Sequence, residues 1–141
     1  MPEMTGSRLF LYYNERSKQG QVKIDESGTI KDSVLSLMNY GICQESSWPY
    51  DESLFPEKPP VRCYREAVKH QVFVYYHIPQ DLYTIKNALN QGYAFIVSIR
   101  VYESFESERA YASGIIPLPN PSKERLLGGY SLVCVGYDDS K

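Results

Sequence analysis

No run of apolar residues in this sequence approaches the roughly 18 that a membrane-spanning helix needs, which excludes a membrane span. Basic stripes are also lacking. The net charge is −2 and the sequence pI about 5.7, so a nucleic-acid partner is not expected. Cysteine is scarce: Cys43, Cys63 and Cys134 are too few and too unevenly spaced for a disulfide framework or a zinc site. A reducing compartment is the default that follows. One pair, Cys43 and Cys63, could still close if the fold brought them together, and spacing does not decide it. Only two histidines occur, His70 and His77, and their separation makes no convincing metal pair. No cofactor and no metal are expected. The N-terminal Met-Pro-Glu-Met-Thr-Gly has an early acidic residue and no apolar core, so it does not read as a signal peptide.

What is present is an ordinary globular balance. Of the 141 residues, 43% are hydrophobic and 23% charged, enough for one compact domain or two small lobes sharing a cleft. Tyrosine is abundant, with 13 residues spread along the chain. Such side chains suit surfaces that are apolar on one side and wet on the other, at an interface or on half-buried strands and helices.

The pattern along the chain separates two halves. Ser7 to Glu15 reads as a serine-capped helix, and Lys18 to Gly28 as a loop. Thr29 to Tyr40 carries Ile30, Val34, Leu37 and Met38 at helical spacing, is capped by Thr29 or Asp32, and ends at Gly41 in a left-handed conformation. Trp48-Pro49-Tyr50-Asp51 and the proline-rich Phe55 to Pro60 read as an ordered loop, because their large apolar side chains are costly to leave in water. Arg62 to Lys69 reads as a brief helical turn. In the second half, Val72 to Ile78 reads as a strand. A helix follows from Pro79-Gln80-Asp81, with Leu82, Ile85, Ala88 and Leu89 inward and Gly92 at its end. Ala94 to Tyr102 alternates, with Phe95, Val97, Ile99 and Val101 on one face. Ile115 to Pro121 reads as extended, and Gly128-Gly129 precede a strand over Tyr130 to Tyr137. The fold class expected is α+β: a helical lobe, 1–68, followed by an antiparallel β-barrel-like lobe, 69–141, that is incomplete at its C-terminal end.

Several stretches, in their order and spacing, resemble one family. They are Ser7-Arg8-Leu9-Phe10-Leu11-Tyr12-Tyr13-Asn14, Tyr40-Gly41-Ile42-Cys43, Trp48-Pro49-Tyr50-Asp51, Lys58-Pro59-Pro60, Val101-Tyr102-Glu103-Ser104-Phe105, and Leu127-Gly128-Gly129-Tyr130 through Gly136-Tyr137-Asp138. Together they resemble the papain-like cysteine peptidases, family C1, in the bacterial and large-DNA-virus branch that lacks a long pro-region. The resemblance covers nearly the whole chain from Ser7 onward. It implies a partial papain-like fold. It also implies a cysteine nucleophile at the start of a long helix, a histidine on a strand of the second lobe, and an asparagine that orients that histidine.

That chemistry requires a thiolate within reach of a base, with donors to hold the oxyanion. Only six residues precede Ser7 and none is cysteine, so the family's nucleophile and oxyanion glutamine have no counterpart there. Tyr130 occupies the position that the resemblance gives to the histidine, directly after Gly128-Gly129. A phenol stays protonated at neutral pH and is a poor base for a thiol. Tyr130 and Cys134 share a strand face, but four strand residues separate them by about 13 Å. The chain ends soon after Tyr137-Asp138-Asp139, before a counterpart of the orienting asparagine.

No catalytic residue is therefore expected to be intact. By the resemblance, Gly28, Thr29, Ser98, Tyr130 and Ser131 would line a peptide cleft that binds without cutting. The expected function is that of a catalytically inactive homologue, a pseudoenzyme that binds a protein or peptide or builds a larger assembly. A cytoplasmic location or a large-DNA-virus particle is favoured. The alternative is a fragment or subunit of an active papain-like peptidase. An unrelated α+β domain is a third reading.

Overall fold

A computed structural model describes residues 4–26 and 28–140. Residues 1–3, where the tract read for a signal peptide begins, and residue 27 of the loop before the second helix lie outside the described residues. The chain separates into two compact units, Met1–His77 and Ile78–Lys141.

The first unit is helical. Helix α1 (Arg8–Lys18) starts at Ser7, whose hydroxyl accepts from the Phe10 N–H at 3.1 Å, as a serine cap does. The same hydroxyl donates to the Trp48 carbonyl at 2.7 Å, so the cap also fastens a distant loop. Helix α2 (Ile30–Asn39) starts at Thr29, whose hydroxyl accepts from the Asp32 N–H at 3.1 Å. The chain leaves α2 through Gly41 at φ +74°, the left-handed turn expected of it. Helix α3 (Val61–Ala67) follows the proline pair and runs into a 3-10 turn, Val68–His70.

The core of this unit is small and closed. Phe10, Cys43, Cys63 and Ala67 are wholly buried, with Ile42, Trp48 and Tyr64 packed on them. Phe10 and Tyr64 meet ring to ring with centroids 4.9 Å apart. Below them the Tyr64 hydroxyl donates to Asn14 Oδ1 at 3.0 Å, and Asn14 Nδ2 donates to the Phe10 carbonyl at 2.7 Å. Buried Arg16 draws the loops onto α1, donating to the carbonyls of Val22 at 2.7 Å, Ile24 at 3.1 Å and Phe55 at 2.6 Å.

The second unit holds α4 (Leu82–Asn90), β1 (Phe95–Tyr102), a 3-10 turn over Glu103–Glu106, α5 (Glu108–Ser113) and β2 (Leu126–Cys134). Asp81 caps α4, its carboxylate accepting from the Thr84 N–H at 2.9 Å. The two strands pair antiparallel from Phe95↔Cys134 to Tyr102↔Leu126. A register shift between Val101 and Tyr102 leaves Leu127 without a partner in the ladder, the signature of a bulge. The α+β class and the papain-like order of elements stand.

Several local expectations are corrected. Val72 to Ile78 forms no strand. Its β-forming residues find no ladder, and Phe73 and Tyr76 remain 83% and 86% exposed. This stretch stays with the helical unit, because the Val72 N–H donates to the Leu37 carbonyl at 3.2 Å and Gln71 Nε2 donates to Met38 and Asn39 carbonyls. The two compact units divide after His77, where the sequence reading has lobes of 1–68 and 69–141. Strand β2 begins at Leu126, before Gly128-Gly129, because both glycines pair with β1. It ends at Cys134 rather than at Tyr137. Leu82 is not inward on α4: it is 72% exposed, while Ile85, Ala88 and Leu89 are half-buried. Cys63 lies in the first turn of α3.

Candidate functional site

The sequence-derived cleft residues fall in both units, and each group has a defined local setting. Gly28 and Thr29 are in the helical unit. The Thr29 hydroxyl is taken up by capping, accepting from the Asp32 N–H and donating to Asp32 Oδ2 at 2.7 Å. Gly28 passes against the buried Glu15: a Cβ built there would lie 2.4 Å from Glu15 Oε2. The close approach explains the glycine without reference to a ligand.

Ser98, Tyr130 and Ser131 are in the second unit. Ser98 and Ser131 are register partners whose hydroxyl oxygens lie 3.1 Å apart on an exposed sheet face. Ile96, Val133 and Arg100 share that face through strand alternation. Tyr130 projects to the opposite face, opposite Ile99, where its ring stands 6.5 Å from Phe105. It is 57% exposed. The alternation therefore separates Tyr130 from the Ser98–Ser131 pair.

No thiol in either unit is placed for nucleophilic work. The second unit contains Cys134 but no histidine in its sequence. The Cys134 thiol points to the Gly136 carbonyl at 3.9 Å. In the helical unit Cys63 donates to the Ser47 carbonyl at 3.6 Å, and the Cys43 thiol meets Cys63 and Ser7. Burial pushes the Cys43 thiol up to about 12, with the neighbouring Cys63 adding to the effect, the reverse of an activated cysteine. His70 ends an exposed 3-10 turn and His77 is exposed. Among the described residues, no group of three or more histidine, cysteine or acidic side chains is placed to hold a metal ion, and no helix is long and apolar enough to cross a membrane.

Two features escaped the sequence. One is a groove of about 520 Å³ on the helical unit, walled by Tyr13, Tyr40, Tyr64, Pro60 and Val61, with Asn14 and Lys58 at its margin. The abundance of tyrosine was its one available signal. The other is the burial of Glu15 on α1. Desolvation raises its pKa above the ordinary carboxylate value, opposed in part by a hydrogen bond from Ser33. A raised folded-state pKa contributes stability that is present below the unfolded pKa and lost as pH rises through the folded one. At neutral pH the ionised carboxylate is therefore a net cost. Glu15→Gln is expected to stabilise the chain at pH 7 by on the order of 1 kcal/mol. It should give no gain near pH 4, where the wild-type side chain is already protonated. Paired thermal melts at the two pH values check the sign.

The chain is similar to an uncharacterized peptidase C1-like protein of Acanthamoeba polyphaga mimivirus, 33% identical over 142 residues, 95% of this chain and 45% of that protein. Its structure is similar to that of xylellain, a cysteine protease from Xylella fastidiosa. The TM-score is 0.86 at 33% identity, over 99% of this chain and 56% of that one. The chain thus spans about half the length of the proteins it matches. No family model matches the sequence.

Proposed function

We propose that this chain, a homologue of the papain-like peptidase C1 family in sequence and in fold, binds or assembles with protein and does not hydrolyse peptide bonds. The observation that carries this reading is Tyr130. It stands on β2 after Gly128-Gly129, in a unit without histidine, and packs near Phe105. A neutral phenol neither withdraws a thiol proton at pH 7 nor supplies the cation that holds a thiolate. The binding half of the proposal is supported by surface. Apolar side chains of the sheet unit stand in water, with Ile96, Val133 and Val135 all exposed. Such faces mark interaction sites when they are contiguous. A place in a virus particle is one form this role would take, supported by the mimivirus source of the relative.

The test is enzymatic. Purified chain is incubated with fluorogenic peptides and with a thiol-reactive epoxide. The expected result is neither turnover nor cysteine-dependent labelling. Tyr130→His is expected to remain equally inert, since one imidazole does not create a placed thiolate. Peptide turnover by the unmodified chain, lost on mutating a single cysteine, would overturn the reading.

A second reading, that the chain works as part of an active peptidase, is favoured by the 33% identity to a cysteine protease over 99% of the chain. Intact mass and oligomeric state of the native material separate the two. A larger complex that hydrolyses peptides supports the second, and an inert assembly supports the first.

A further inference from the structure

Cys43 and Cys63 are both wholly buried and packed in one core cluster. They come from separate elements. Cys43 follows the end of α2, and its carbonyl accepts from the Ser7 N–H at 2.8 Å. Cys63 lies in the first turn of α3. A third group holds the two segments side by side: the Glu66 carboxylate, one turn after Cys63, accepts from the Gln44 N–H at 3.0 Å and from the Ser47 hydroxyl at 2.6 Å. The juxtaposition therefore rests on the Glu66 carboxylate and does not depend on the sulfurs alone. The surrounding Phe10, Ala67, Ile42 and Trp48 are apolar, and joining two thiols of one packed cluster adds no atoms to them.

We propose that Cys43 and Cys63 form a reversible disulfide when the chain meets an oxidising small-molecule disulfide, covalently closing the segment between them. In a reducing compartment the pair is the dithiol seen here. The step balances as thiol–disulfide exchange. Local opening of residues 44–62 exposes one cysteine, which loses its proton and attacks a sulfur of the oxidant. The oxidant's S–S bond breaks, one small thiolate leaves, and a mixed disulfide remains. The second cysteine then loses its proton and attacks the protein sulfur of that mixed disulfide, expelling the second small thiolate. The two protein thiols are oxidised, the oxidant is reduced to two small thiols, and the two protons pass to the departing thiolates. Burial keeps both sulfurs protected in the closed fold, so oxidation follows the opening rate and is slow. The closed loop restricts the unfolded chain and so favours the folded one.

This inference is independent of whether the chain cuts peptides. The full chain is held in native buffer with oxidised glutathione, quenched by alkylation in denaturant, weighed, and digested with trypsin without reduction. Cleavage after Arg62 separates the two cysteines. The expected result is a species lighter by two hydrogens, with residues 32–62 linked to residues 63–65. Its thermal midpoint should lie above that of the reduced chain and return on adding dithiothreitol. Cys134, half-buried in the other unit, should at most take up glutathione. The Cys134→Ser variant should give the same link. Three alkylatable or glutathione-bearing cysteines after oxidation, or a bond through Cys134, overturns the proposal.

Discussion

Arg16→Ala is expected to destabilise the chain by about 3–4 kcal/mol, which is a large share of the stability of a small domain. The guanidinium is buried, and among the described residues it makes no salt bridge: its hydrogen-bond partners are carbonyls. Nε donates to Tyr12 at 3.2 Å, one terminal nitrogen to Val22 and Ile24, and the other to Phe55. Its plane lies 3.8 Å from the Tyr12 ring centroid and 5.0 Å from that of Phe55. Truncation leaves carbonyls from two loops without their donors and removes the surface on which both rings stack. Arg16→Lys should recover little, since one ammonium cannot span carbonyls that a planar fork reaches together. Arg16→Met, which keeps the apolar stem, should recover part of the packing and none of the loop tethering. Urea unfolding of the three variants gives the ranking. A loss below about 1 kcal/mol for the alanine variant would show that the loops hold themselves.

Gly41→Ala is expected to cost at least about 3 kcal/mol, for two separable reasons. The residue sits at φ +74°, where any side chain is strained by roughly 1–2 kcal/mol. In addition, a Cβ there would lie 1.9 Å from the Ala67 carbonyl oxygen, which belongs to backbone and cannot swing aside. Relief requires the end of α2 to move away from the end of α3. Gly20 is the control. It has nearly the same φ, +72°, with nothing within 4 Å of a Cβ, so Gly20→Ala should show the strain alone. The gap between the two variants measures the overlap. Equal losses in thermal melts would mean that α3 yields without cost.

Helices α1, α2 and α4 were legible because their ends are written in short side chains, whereas α5 was not read although Ser107 caps it. Ser7, Thr29 and Asp81 each cap as their chemistry allows, and Gly41 and Gly92 both close a helix with positive φ. Strand β1 was legible from alternation, with its apolar face half-buried as read. Val72 to Ile78 misled because β-propensity describes a side chain that fits a sheet, and a strand exists only where a ladder accepts it. Gly128-Gly129 read as lying just before the strand, since sequence shows glycine's freedom and not its pairing. Pro59-Pro60 read as the end of an ordered loop, and Pro60 stands at the cap of α3, where a missing N–H costs little. Of the candidate site, the placement of Tyr130 on a strand was readable; the pairing of Ser98 with Ser131 was not. The burial of Glu15 and Arg16 was not. Charged residues near the end of an amphipathic helix read as solvated, and the carbonyls that receive Arg16 arrive from loops whose return path leaves no local mark.

The tethers of the helical unit also set when it can form during synthesis. The hydrogen bond from Ser7 to Trp48 spans 41 residues, that from Arg16 to Phe55 spans 39, and that from Tyr64 to Asn14 spans 50. Each earlier partner waits for one made much later. Helix α1 leaves the ribosome without the distant partners of its cap, its buried cation and its core asparagine, and it gains little from its own backbone alone. The unit is thus committed to folding late, once α3 has emerged, and in a single long-range closure that carries the loop entropy of the intervening chain.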